Sequence, residues 1–159
     1  MIEKKITTTF YQTNKSSLIK EENSLVDLAI NSLKSAYAPY SGFMVGAAVL
    51  LENGEIISGN NQENVAYPSG LCAERVAIYY AGAKFPNVKI KKIAISAVSK
   101  KFDFTDVVSP CGSCRQAIAE YEVKQDTFIE IYFMGETGKI IKASSVKDLL
   151  PLIFDAAFL

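Results

Sequence analysis

Three cysteines, at positions 72, 111 and 114, are the residues of this 159-residue chain best suited to chemistry. Cys72 opens the run Cys72-Ala73-Glu74-Arg75, and the other two lie in Pro110-Cys111-Gly112-Ser113-Cys114-Arg115-Gln116. Each falls where the pattern places the start of a helix, whose free N–H groups and positive dipole end stabilise a thiolate. Thiolates bind zinc, and three of them leave one tetrahedral position open, the arrangement of a catalytic rather than a structural site. Glu74 follows Cys72 by two residues, which projects its carboxylate beside that open position. There it can take a proton from a water that the metal has made acidic. A Cys-x-x-Cys pair alone also suits redox use or two small buried residues, and Cys72 alone suits a core thiol. The convergence of both segments on helix starts is what points to one shared metal.

The chain contains no histidine. That excludes a Ser-His-Asp hydrolase, a papain-like Cys-His pair, a His-rich metal centre and an HExxH protease. Acid/base work near neutral pH must fall to a carboxylate, a lysine, a thiol or metal-bound water. Lys and Arg number 17 and Asp and Glu 17, giving no net charge. A surface built to neutralise phosphates needs a basic excess, so a small substrate is expected rather than a nucleic acid. No apolar run is long enough to span a membrane, and Met1-Ile2-Glu3-Lys4-Lys5 lacks the character of a secretory signal. A cytoplasmic protein with free thiols is expected.

The elements that must position these residues read as one folding unit without repeats or linkers. Ile6 to Tyr11 is β-branched and aromatic enough for a strand, and Gln12 to Lys20 reads as a loop, so residues 1–22 form an N-terminal arm. Residues 23–159 form the catalytic domain. Ser24 with Asp27 suggests a helix cap, with Val26, Ile30, Leu33 and Tyr37 on one face and Pro39 ending the helix. Phe43 to Leu51 is a buried strand, Asn53-Gly54 a hairpin turn and Glu55 to Gly59 its return. Helices follow at Gly70 to Lys84 and Cys111 to Glu122, strands at Ile90 to Val98, Phe128 to Met134 and Lys139 to Lys142, with a turn at Gly135 to Gly138. Val146 to Phe154 closes the chain as a short helix. This order implies an α/β fold, a three-layer α/β/α sandwich around a mixed five-stranded sheet, with an extra N-terminal strand.

The two cysteine segments resemble those of the zinc-dependent cytidine deaminase family, in its small form with three cysteine ligands. The likeness extends to Tyr37-Ala38-Pro39-Tyr40-Ser41-Gly42-Phe43-Met44-Val45-Gly46-Ala47-Ala48, to Gly59-Asn60-Asn61-Gln62-Glu63-Asn64-Val65-Ala66-Tyr67, and to Leu149 through Phe154. It spans about Ser24 to Phe154. Departures at Val65, Ala66 and Pro68-Ser69-Gly70 touch neither ligands nor Glu74. The resemblance implies hydrolytic deamination of cytidine and 2′-deoxycytidine in pyrimidine salvage. It implies Zn2+ held by Cys72, Cys111 and Cys114, and Glu74 acting as base and then acid. Three thiolates leave the centre net negative, and the resemblance implies that Arg75 offsets this by donating to the sulfurs. It also implies substrate contacts from Phe43, Asn61, Glu63 and Ala73, with Asn61 and Glu63 on the ribose 3′-hydroxyl, and a homotetramer in which Tyr40 and Phe154 reach a neighbouring subunit. The apolar stretch Ile153 to Leu159 calls for burial.

Three other readings stay open at this stage. A zinc aminohydrolase for a cytosine-bearing nucleoside antibiotic shares the metal site, but Asn61-x-Glu63 favours an ordinary nucleoside. A non-catalytic zinc module would have no use for Glu74. A deaminase acting on RNA or DNA would need the basic groove that a neutral chain does not supply.

Overall fold

The computed structural model describes residues 1–101, 103, 106–135 and 137–155. The strands are β1 (Phe10–Asn14), β2 (Phe43–Leu51), β3 (Ile56–Asn60), β4 (Ile90–Ser99), β5 (Glu130–Met134) and β6 (Lys139–Ala143). The helices are α1 (Lys20–Ser32), α2 (Ala73–Lys84) and α3 (Gly112–Gln125). The strands form one sheet in the order β1-β6-β5-β4-β2-β3, mixed because β4 and β5 run parallel while the other neighbours are antiparallel. The expected strand set is therefore present, with β1 as the added N-terminal strand on the β6 edge.

Side chains alternate across the sheet, and that alternation makes the layers. On β2, Ala47, Val49 and Leu51 face a core shared with Ala77 and Ile78 of α2 and Ile118 of α3. Ala48 and Leu50 face the opposite core, closed by Leu25, Val26 and Ala29 of α1. Two glycines permit this packing. A Cβ on Gly46 would lie 2.1 Å from the Ala29 carbonyl oxygen, and one on Gly59 would lie 2.7 Å from the Ala77 nitrogen, so helices α1 and α2 approach β2 and β3 backbone to backbone.

Several boundaries differ from the sequence expectation. Helix α1 begins at Lys20 rather than Ser24: the Glu22 carboxylate accepts from the Ile19 backbone N–H at 3.3 Å, while Ser24 Oγ donates back to the Lys20 carbonyl inside the helix. Tyr37 lies outside the helix and instead pairs with the segment at Gln62. Residues 10–14, not 6–11, form the first strand, because pairing with β6 sets its position and local propensity cannot. Helix α2 starts at Ala73, after a single 3-10 turn at Tyr67–Ser69. Strand β5 starts two residues later than expected because the Ile129 N–H donates to the Glu122 carboxylate instead of a ladder. The closing helix shrinks to the 3-10 turn Val146–Asp148, since Pro151 has no N–H to extend it and disfavours helical backbone at Leu150. The end of the apolar stretch, residues 156–159, and part of the Gly135–Gly138 turn lie outside the described residues.

Candidate metal centre and adjoining cavity

Strands β3 and β4 are both antiparallel to β2, so they point the same way and the chain leaves them at one end of the sheet. The segments after them enter α2 and α3, and this topology brings both helix N-termini together. Cys72 and Cys111 are the N-cap residues of α2 and α3, both in extended backbone conformation, and Cys114 sits in the first turn of α3. Their Sγ atoms all lie within 4.8 Å of one another, with Cys111 and Cys114 3.5 Å apart. A tetrahedral site with Zn–S bonds of about 2.3 Å sets its sulfurs roughly 3.8 Å apart, so three thiolates at this spacing fit zinc. Burial falls from Cys114, fully buried, through Cys72 to Cys111, which is exposed.

The electrostatics of the cluster are those of crowded thiols. Hydrogen bonding from Cys114, and then the Arg75 guanidinium, pulls the Cys72 thiol down to about 5 against the opposing effect of burial. Cys114 is pushed up, first by that same hydrogen bond and then by burial. Arg75 Nη2 donates to Cys72 Sγ at 3.5 Å, and the Arg75 charge is held more firmly than usual, first by Cys72 and also by Cys114. Glu74 is only 4% exposed, in the first turn of α2. Burial raises its carboxyl above the ordinary range, and the Cys72 charge adds to the shift.

Beside the cluster lies a cavity of about 500 Å³ whose lining includes Cys72, Arg75, Asn61, Glu63, Tyr40 and Ser41. Five residues singled out from sequence thus meet at one cavity. Phe43, half-buried at the start of β2, the buried Ala73 and Phe154 are not part of its lining; the Phe154 carbonyl accepts from Gln116 on α3 at 2.6 Å. Asn61 extends the β2–β3 ladder with its side chain: Oδ1 accepts from Val45 N at 2.8 Å and Nδ2 donates to the Phe43 carbonyl at 2.9 Å. Glu63 Oε2 accepts from the backbone N–H groups of Tyr40 at 2.8 Å and Ser41 at 3.3 Å, and Oε1 accepts from Ser41 Oγ. Sequence reasoning assigned nothing to Ser41, Tyr67 or Lys101. Tyr67 stacks edge-on against Tyr40 at 6.2 Å, and Lys101 Nζ donates to the Tyr40 carbonyl at 3.0 Å. The Pro39-Tyr40-Ser41-Gly42 turn was the available signal for the first of these.

The "Cytidine and deoxycytidylate deaminase zinc-binding region" family model matches residues 19–130. A cytidine deaminase of Halalkalibacterium halodurans is 37% identical over 136 residues, covering 86% of this chain and 96% of that protein. A blasticidin-S deaminase of Bacillus cereus is 32% identical over 141 residues, covering 86% and 94%. Among solved structures, a cytidine deaminase from Burkholderia pseudomallei superposes with a TM-score of 0.71 at 33% identity, covering 82% of this chain and 97% of that one.

Proposed function

Because the chain belongs to the cytidine and deoxycytidylate deaminase family, we propose that it removes the 4-amino group of cytidine and 2′-deoxycytidine by hydrolysis, leaving uridine and 2′-deoxyuridine and releasing ammonia. One juxtaposition carries the reading: three cysteine sulfurs close enough to share a metal, and the buried carboxylate of Glu74 in electrostatic contact with Cys72 and Cys114. Cys72, Cys111 and Cys114 would hold a zinc ion, which would supply the Lewis acidity that lets water give up a proton near neutral pH.

Glu74 would take that proton and deliver it to N3 of the pyrimidine, then take the proton of the hydroxyl added at C4 and pass it to the amine as the C4–N bond breaks, so one carboxylate acts as base and acid in turn. Its burial makes it a stronger base than a solvated carboxylate. Arg75 draws charge from the sulfurs through Cys72 and keeps the all-thiolate centre electrophilic. Asn61 and Glu63 hold the sugar 3′-hydroxyl, and their free capacity suits it: once their partners among the described residues are counted, Asn61 Nδ2 retains one N–H and Glu63 Oε1 one acceptor site. Phe43 and Ala73 complete the substrate contacts.

Residues 23–159 act as the catalytic unit and residues 1–22 as an added arm. Relatives matched over 96–97% of their own length account for only 82–86% of this chain. The protein works as a homotetramer, with Tyr40 and Phe154 meeting a neighbouring subunit. Both are exposed within the single chain, at 43% and 62%, as are Val65, Tyr67 and Leu152, apolar side chains that partner subunits would cover. A cytoplasmic setting suits three free thiols. Among the described residues no helix is long and apolar enough to cross a membrane.

Ammonia release from cytidine, deoxycytidine, cytosine, CMP and blasticidin S, measured with metal content, tests the reading. Turnover of the two nucleosides by zinc-loaded protein is expected. Zinc content without turnover of any of them overturns it.

A further inference from the structure

We infer that Ser41 is a positioning residue for the sugar subsite, fixing the orientation of the Glu63 carboxylate so that one Oε1 lone pair is left facing the substrate. The inference rests on the proposed reading, in which Glu63 takes the sugar 3′-hydroxyl. Its basis is a closed account of donors and acceptors. Oε2 of Glu63 is occupied by two backbone N–H groups, those of Tyr40 and Ser41. Among the described residues Oε1 has a single hydrogen-bond partner, the Ser41 hydroxyl. A hydroxyl carries one hydrogen, and the direction of this one is set because Ser41 Oγ also accepts from the Phe43 N–H at 2.9 Å. The hydrogen is committed to Glu63, and the carboxylate plane is pinned at both oxygens.

The turn that bears Ser41 is itself held on either side. Lys101 Nζ donates to the Tyr40 carbonyl, and the Lys100 N–H donates to the Gly42 carbonyl at 2.9 Å. Asn61 grips the following residues through Phe43 O and Val45 N. The same short stretch, 40–45, therefore templates both sugar-facing side chains, and Ser41 is the member that contributes a side-chain donor. Glu63 is only partly buried, so water would otherwise compete for Oε1 and let the carboxylate rotate. The Ser41 hydrogen bond is also the chief influence holding the Glu63 carboxyl below the ordinary range, which keeps it an acceptor.

Steady-state kinetics of the full-length zinc enzyme test this with cytidine and 3′-deoxycytidine on wild type, Ser41→Ala and Ser41→Thr. For Ser41→Ala, KM for cytidine should rise about 10-fold with kcat within about 2-fold, the size expected for losing one charge-assisted hydrogen bond. For 3′-deoxycytidine, which lacks the hydroxyl, the same substitution should change KM less than about 2-fold. Ser41→Thr keeps the hydroxyl and should restore the cytidine KM. An equal loss on both substrates would mean Ser41 only holds the turn, and no loss on either would mean Glu63 needs no help; each overturns the inference while leaving deamination intact. A wild-type protein that turns over no cytidine overturns the functional reading and this inference with it.

Discussion

A zinc centre built from three thiolates carries more negative charge than one with a neutral ligand, so each residue around it has an electrostatic task. For Glu74 the proposed task is the proton. Glu74→Gln keeps the shape and removes the base: kcat should fall by about 10²–10⁴-fold, with zinc content by atomic absorption unchanged. Arg75→Gln removes the charge that faces Cys72 and should lower turnover while zinc stays bound; unchanged turnover would refute its role. At this scale the cysteine cluster was legible because Cys-x-x-Cys and Cys-Ala-Glu declare themselves locally. Ser41 was not, since its meaning depends on a carboxylate that only the fold brings to it, and the same holds for Lys101 on the Tyr40 carbonyl.

The elements deliver these side chains by close packing. Gly59 on β3 lets the first turn of α2 sit against the sheet, and that turn carries Cys72 and Glu74. Gly59→Ala should push the turn outward, costing about 1–3 kcal/mol of stability by denaturant unfolding and weakening zinc retention under chelator challenge. On the opposite face, Lys92 of β4 joins α1 to the sheet through Glu21 and Glu22, with Glu130 of β5 beside it at 3.5 Å. Burial alone would raise the Glu22 and Glu130 carboxyls, but the Tyr132 hydroxyl and Lys92 for Glu22, and Lys142 and Lys92 for Glu130, outweigh it and both end below the ordinary 4.5. Stability from such lowered groups is complete above the unfolded value and lost as pH falls through the folded one. Calorimetry should therefore show a Tm that drops between about pH 5 and pH 3, and a shallower drop in Lys92→Met. Strand β2 was readable residue for residue because both its faces are buried and its run of apolar residues is uninterrupted. The closing helix misled because its pattern was helical up to a proline that local spacing undervalues.

The molecule as a whole reproduces the three layers that the alternation of strands and helices implied, since layer architecture follows from which faces are apolar. What sequence could not supply was where the arm goes, because strand pairing at long range has no local signature. Strand β1 lies along β6 and covers what would otherwise be the sheet's edge. Deleting residues 1–14 should expose β6, lower Tm by several degrees and promote association, detectable by light scattering, with the cysteine cluster still able to take up zinc. The same ladder pairs Phe10 with Ala143 and Asn14 with Lys139, the first strand of the chain with the last. During synthesis the arm emerges from the ribosome long before its partner exists, so β1 cannot dock until β6, and with it the four strands between them in sequence, has been made. Its docking is the late step that completes the sheet at the β6 edge, and until then the six uncharged and β-prone residues Thr8 to Thr13 have no strand to pair with.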